Sequence, residues 1–210
     1  MFYHSTNFDF SPAAKQWIMA RYAHRFADEF YHDLDPDQFL AASQWQWHIG
    51  PAGKELLAFL SGYGLDSSYY GISAFISNAS EWFSGNPHID VKYDVHMHEY
   101  PIQSRFNVLV QGNSADQMHW WDHMSWGDSR LSRSQFTDLS GNAYTSISIP
   151  GNNVDARWQY LGEPTISQKH VLSPSAFVKT NCVHTVNVSP GPRLIVTVAL
   201  DKTIEEIIGP

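Results

Sequence analysis

His88-Ile89-Asp90, and far along the chain His184 with Arg193 nine residues after it, are the residues best spaced for chemistry. A histidine and a carboxylate two positions apart project from one side of an extended chain, because side chains alternate faces along a strand. Joined by a second histidine from elsewhere, they make a three-ligand facial metal site that leaves coordination positions open. Arg193 would add a planar cation suited to an acidic ligand. Chance alone gives about 0.7 His-x-Asp pairs, and about 0.4 cases of Arg nine residues after His, in a chain of this composition. Local pattern must therefore decide.

The stretch Cys182-Val183-His184-Thr185-Val186-Asn187-Val188 is rich in β-branched residues and predicts a strand. Ser189-Pro190-Gly191-Pro192 is turn chemistry, and Arg193 to Leu200 predicts a second strand. The expectation is a hairpin with His184 and Arg193 on its two arms. Leu194, Val196, Val198 and Leu200 form an apolar row that must be buried. Arg193 then faces the other way with Ile195, Thr197 and Ala199, into the concave side of the sheet.

The elements that position these groups fall into two parts. Ser11-Pro12 starts a helix, with Ser as N-cap and Pro at the first helical position, and Trp17, Ile18, Tyr22, Phe26 and Phe30 recur at helical spacing. Asp35-Pro36 begins a second helical stretch, which Gly50-Pro51 breaks. A short helix with Leu56, Leu57 and Leu60 ends near Gly62-Tyr63-Gly64. From about residue 65 the period becomes two. Strands are expected at 68–77, 88–94, 104–111, 117–122, 143–149, 155–161, 165–172, 181–188 and 193–200, and a long connection at 123–141. Helices first and strands after mean an α+β chain. The helical part spans 10–62, a sandwich or barrel spans 65–200, and the helices pack on one outer face. The whole, 1–210, is expected to be a single domain.

Net charge is −8 and pI about 5.7, which disfavours a nucleic-acid partner. Asp33, Asp35 and Asp37 are expected on a solvated loop. A lone cysteine, Cys182, allows no intrachain disulfide and is expected as a packing residue. No secretory leader, lipidation motif or long apolar run is evident in the sequence, so a soluble cytoplasmic protein is expected.

With order and placement together, the chain resembles the Fe(II)/2-oxoglutarate-dependent oxygenases over roughly residues 65–200. Those proteins carry His-x-Asp near the start of a double-stranded β-helix, or jelly roll (the cupin-like fold), a distal His near its end, and an Arg or Lys about ten residues beyond. The matching positions are His88, Asp90, His184 and Arg193. The resemblance implies Fe(II) held by His88, Asp90 and His184, with 2-oxoglutarate chelating the metal and O2 taking the last position. Arg193 would pair with the 5-carboxylate. Oxidative decarboxylation to succinate and CO2 would drive oxidation of the substrate. The carboxylate of Asp90 favours hydroxylation over halogenation. Ser104-Arg105-Phe106-Asn107-Val108-Leu109-Val110 is similar to the strand that follows His-x-Asp in several members. Arg105 and Asn107 would then face the pocket and bind cosubstrate or substrate, while Phe106, Val108 and Val110 face an outer layer.

Competing motifs are few. His96-Met97-His98-Glu99 is a rival metal pair, expected instead on a loop lining the entrance. In His119-Trp120-Trp121-Asp122-His123 the adjacent Trp residues face opposite ways, one into the core and the other onto a pocket wall or under the long connection. Arg105, Asn107 and one of these Trp residues would suit a small polar molecule or a side chain carrying a carboxylate or planar group. His4, His24, His32, His48 and His170 have no partner by spacing and are expected to be structural. No phosphate loop and no supported Ser/His/Asp set occurs. Two other functions fit the pattern. One is a cupin-like metalloprotein with non-oxidative chemistry. The other is a Trp-rich β-sandwich binding module without catalysis.

Overall fold

The computed structural model describes residues 1–22, 33–34, 50–65, 69–85, 87–93, 99–112, 115–137, 143–148, 160–169, 171–172 and 174–209. In chain order these form β1 (Tyr3–Thr6), α1 (Pro12–Tyr22), β2 (Asp33–Leu34), α2 (Pro51–Ser61), β3 (Tyr69–Ala79) and β4 (Phe83–Ser84). Then come β5 (His88–Ile89), β6 (Val91–Tyr93), β7 (Glu99–Pro101), β8 (Ser104–Gln111), β9 (Gln117–Ser125), β10 (Ser132–Thr137) and β11 (Ala143–Ser148). The last are β12 (Ile166–Lys169), β13 (Ser175–Lys179), β14 (Cys182–Val188), β15 (Gly191–Leu200) and α3 (Ile204–Ile208).

Two antiparallel sheets face each other. One runs β1-β13-β8-β15-β3-β2, and the other β10-β11-β5-β14-β9-β12 with β4 beside β14. Strand alternation splits each sheet's side chains between two layers. Leu194, Val196, Val198 and Leu200 do turn outward as one row, and with Phe106 and Val108 they pack against Ala14, Ile18, Leu56 and Leu60 of the two helices. The helices therefore cover one outer face, as expected. Helix α1 starts where Ser11-Pro12 predicts, with Ser11 Oγ accepting from Ala14 N at 3.2 Å. Between the sheets, Met118, Trp120 and Cys182 meet Ala176, Val178 and Ile195. A third cluster lies on the far side of the second sheet, where Ile89, Trp121 and Val183 pack with Leu161. Among the described residues no helix is long and apolar enough to cross a membrane.

Several expected elements change. His184 and Arg193 do not lie on one hairpin: β14 pairs with β5 and β9, whereas β15 pairs with β3 and β8 in the other sheet. Ser189-Pro190 carries the chain across the sandwich. The 88–94 strand is broken at Asp90, whose N–H donates to Thr180 O (3.3 Å) and whose carbonyl accepts from Ile102 N (2.9 Å). The connection 123–141 contains β10, paired along its length with β11. Strand β13 was not expected. Tyr160 and Leu161 are helical, and Val171 and Leu172 form a turn beyond β12. The second helical stretch from Asp35, the rest of 155–161, and His24, His32, His48, His96, His98 and His170 lie outside the described residues.

Candidate metal centre

β5 and β14 run side by side with His88 directly opposite His184. Both side chains point between the sheets, and their rings lie 4.6 Å apart. Asp90 follows the end of β5 and turns its carboxylate to the same place. One donor atom from each of His88, Asp90 and His184 lies within 4.8 Å of the other two. His88 Nε2 is 3.3 Å from Asp90 Oδ1, and His184 Nε2 is 4.0 Å from Asp90 Oδ2. Neighbouring donors around an ion bound at about 2.1 Å sit about 3 Å apart. The His88–Oδ1 pair already fits, and the donors, all within 4.8 Å of one another, need to close for an ion to be held by all three.

The chemistry of the donors agrees. His184 Nδ1 is 3.0 Å from the Cys182 carbonyl, an acceptor only, so Nδ1 carries the proton and Nε2 keeps its lone pair for the site. Burial, then the neighbouring His88, lower the His184 pKa to about 4, leaving a neutral imidazole at neutral pH. Burial alone would raise the Asp90 carboxyl. Arg105, with His88 and His184 behind it, more than offsets burial and holds Asp90 well below the usual range. Two neutral imidazoles and a carboxylate are a competent set for a divalent ion.

Arg105 Nε donates to Asp90 Oδ2, and both side chains are 13% exposed. Asp90 is thereby left one oxygen, Oδ1, for an ion. The guanidinium also stands over the Phe75 ring, 5.6 Å from its centre. The inward phase expected for Arg105 and Asn107 is what the structure has: both line the cavity that contains the triad. Arg105, expected to bind cosubstrate or substrate, is engaged with the carboxylate of Asp90.

The cavity has a volume of about 100 Å³. Its walls away from the triad are apolar, from Met118, Leu172, Val178, Val186 and Ile195, and Arg193 also lines it. Arg193, expected to pair with a cosubstrate carboxylate, is 6% exposed and ion-paired, with Nε 2.6 Å from Asp116 Oδ2. The Nε–H points off that oxygen, so the contact is an ion pair and not an aligned hydrogen bond. Asp116 Oδ1 accepts from Ser189 N (2.9 Å) and Ser189 Oγ (2.7 Å). Burial lowers the Arg193 pKa and Asp116 works against that. Asp116 and Ser189 had no sequence signal, since they lie 73 residues apart and only the fold joins them.

Neither tryptophan walls the cavity. Trp120 is fully buried between the sheets with Nε1 donating to Lys179 O (2.9 Å). Trp121 is fully buried on the opposite face, donating to Gly162 O (3.0 Å) under the 160–162 segment. The aromatic part of the expected substrate platform is therefore absent, because both rings are consumed by packing.

No family model matches the sequence, and no curated protein matches it in sequence. Among solved structures, E. coli ycfD aligns at a TM-score of 0.37 and 8% identity over 76% of this chain. That alignment spans 33% of ycfD's own length. The L-ribose isomerase of Acinetobacter sp. DL28, in complex with L-ribose, gives 0.34 and 10% over 98% of this chain and 88% of that one. The L-ribose isomerase of Cellulomonas parahominis, with L-psicose, gives 0.33 and 13% over 93% and 86%. At such overlap no activity transfers from these proteins.

Proposed function

We propose that the chain is an Fe(II)- and 2-oxoglutarate-dependent oxygenase that oxidises a small polar molecule or a side chain. The observation that carries this is the convergence of His88, Asp90 and His184 in a cavity that also holds the guanidinium of Arg193. Strand order supports it. From β3, the chain visits the sheets in the alternation of a double-stranded β-helix: β3, β8, β13 and β15 in one, and β5, β9, β12 and β14 in the other.

Fe(II) at the triad would supply O2 activation coupled to decarboxylation of 2-oxoglutarate to succinate and CO2. The protein's part is placement. The Cys182 carbonyl fixes the His184 tautomer. Arg105 limits Asp90 to one oxygen, which keeps positions open. Arg193 holds the distal carboxylate of the cosubstrate through its terminal amino groups. The apolar walls exclude water and strengthen each of these interactions.

A second reading keeps the metal and drops the cosubstrate, giving a cupin-like metalloprotein with non-oxidative chemistry. The Asp116 partner of Arg193 favours it, because a paired cation attracts a carboxylate less. Anaerobic titration separates the two. Fe(II) followed by 2-oxoglutarate should give a weak visible charge-transfer band that disappears in His88→Ala. Iron binding with no band, and no displacement of bound ligand by 2-oxoglutarate, would leave the second reading standing.

A further inference from the structure

Asp116 is the observation that the proposed function does not absorb. A carboxylate pressed on one edge of a buried guanidinium competes with any ligand carboxylate brought to the same group. Yet Asp116 is well built in: it is 6% exposed and held by both donors of Ser189. The arrangement leaves Arg193 incompletely used. Its Nε is buried beside Asp116 with no aligned acceptor among the described residues. Ser77 sits opposite Arg193 in the β3–β15 register, and its hydroxyl is buried with no partner among the described residues. Arg193 lines the cavity, and a buried guanidinium with an incompletely satisfied donor there calls for a ligand.

We propose that Asp116 is a specificity-determining counter-carboxylate, which occupies the Nε edge of Arg193 and so sets how tightly the cavity holds the far carboxylate of an acidic ligand. Arg193 is thereby confined to presenting its terminal amino groups. This rests on Arg193 being the anion anchor of the proposed function. It adds that the anchor is tuned down from within. Asp116→Asn keeps the acceptor that faces Ser189 and turns a donor toward Arg193. The guanidinium loses its counter-charge and is freed toward the cavity. Ser189→Ala has the opposite sense, because a carboxylate with one donor fewer leans more fully on Arg193.

The test is titration of glutarate into the metal-free protein by calorimetry, with melting temperature measured in parallel. Glutarate has two carboxylates and needs no metal, so the result stands even if the oxygenase reading fails. Asp116→Asn should melt lower than wild type yet bind glutarate at least tenfold tighter. Ser189→Ala should bind it more weakly than wild type. With Mn(II) bound, the affinity ratio of 2-oxoglutarate to pyruvate, which lacks the far carboxylate, should rise in Asp116→Asn. A role for Asp116 in folding alone would lower melting temperature and affinity together. Equal or weaker glutarate binding in Asp116→Asn overturns the proposal. Should that variant fail to fold, unchanged or tighter binding in Ser189→Ala overturns it.

Discussion

The ion pair of Asp90 and Arg105 makes a quantitative prediction about the metal-free protein. The structure separates Asp90 from the two histidines, because Asp90→Ala strands a guanidinium that is 13% exposed. At contact distance and an effective dielectric near 20, the pair attracts by about 4 kcal/mol before desolvation. Removing one partner of a buried pair costs about 3–5 kcal/mol, and partial exposure lowers that to about 3. Asp90→Ala and Arg105→Met should each cost about 3 kcal/mol, or about 6–12 °C in Tm for a chain of this size. The double variant should also cost about 3 kcal/mol, because neither charge is left alone. The cycle then returns a coupling of about 2–3 kcal/mol.

Urea denaturation followed by tryptophan fluorescence gives all four stabilities, and the chain has eight tryptophans to report. A parallel Mn(II) titration should show binding retained in Arg105→Met and lost in both variants that lack Asp90. Single costs that add within about 0.5 kcal/mol in the double variant would mean that the pair does not form in solution. The account of Asp90 as a one-oxygen ligand would go with it.

Three further outcomes are expected. His184 has its pKa lowered from 6.5 to about 4. The unfolded chain therefore takes up a proton that the folded one refuses, and stability present above pH 6.5 drains away toward pH 4, by up to about 3 kcal/mol. Urea midpoints across that window should slope accordingly in metal-free wild type and flatten in His184→Gln; an unaltered slope would assign the proton elsewhere. Gly112→Ala combines a φ of +140° with a Cβ placed 3.1 Å from Leu109 Cδ1, so it should cost about 1–3 kcal/mol, and wild-type stability would show that this turn relaxes freely. Burial pushes the Cys182 thiol up to about 12, so a thiol reagent should label it only in denaturant, and rapid labelling of the native protein would contradict the packed inner layer.

What was legible in the sequence was the phase of each strand. On β15 and β8 an unbroken apolar row alternates with a mixed row that carries the polar residues, so the apolar face of each must be buried. That alone turned Arg105, Asn107 and Arg193 inward. The start of α1 was legible from Ser11-Pro12 for an equally local reason. Partner choice was not. Ser189-Pro190-Gly191-Pro192 says that the chain turns, and nothing in it says that the next strand joins the opposite sheet. Strand β13 was lost because Ser173-Pro174 and Asn181 bracket too short a run, although Ala176, Phe177 and Val178 are all fully buried. The break after Ile89 depends on hydrogen bonds to Thr180 and Ile102, both distant in sequence. Helix α3 did carry a local signal, the Thr203-x-x-Glu206 capping box, which the structure forms in both directions.

The same limit explains why the partner of neither arginine was anticipated. A strand's phase says which side a charge faces, and it is silent on what meets it there. Asp90 meets Arg105 from a strand that begins fourteen residues later, and Asp116 meets Arg193 from across the fold. Burial makes such pairing almost obligatory, because an isolated charge in an apolar layer is far costlier than a paired one. An inward-facing arginine in a sandwich should therefore be read as half of a pair until shown free. Among the described residues Asp90, Arg105 and Arg193 leave one positive charge on the cavity lining, and Asp116 behind Arg193 brings the sum to zero, whatever the net charge of −8 over the whole chain. Under the proposed function a divalent ion takes that sum to +2 and a dicarboxylate returns it to zero. Metal and acidic ligand then favour each other's binding reciprocally, and Asp116 sets how much of that attraction the far carboxylate feels.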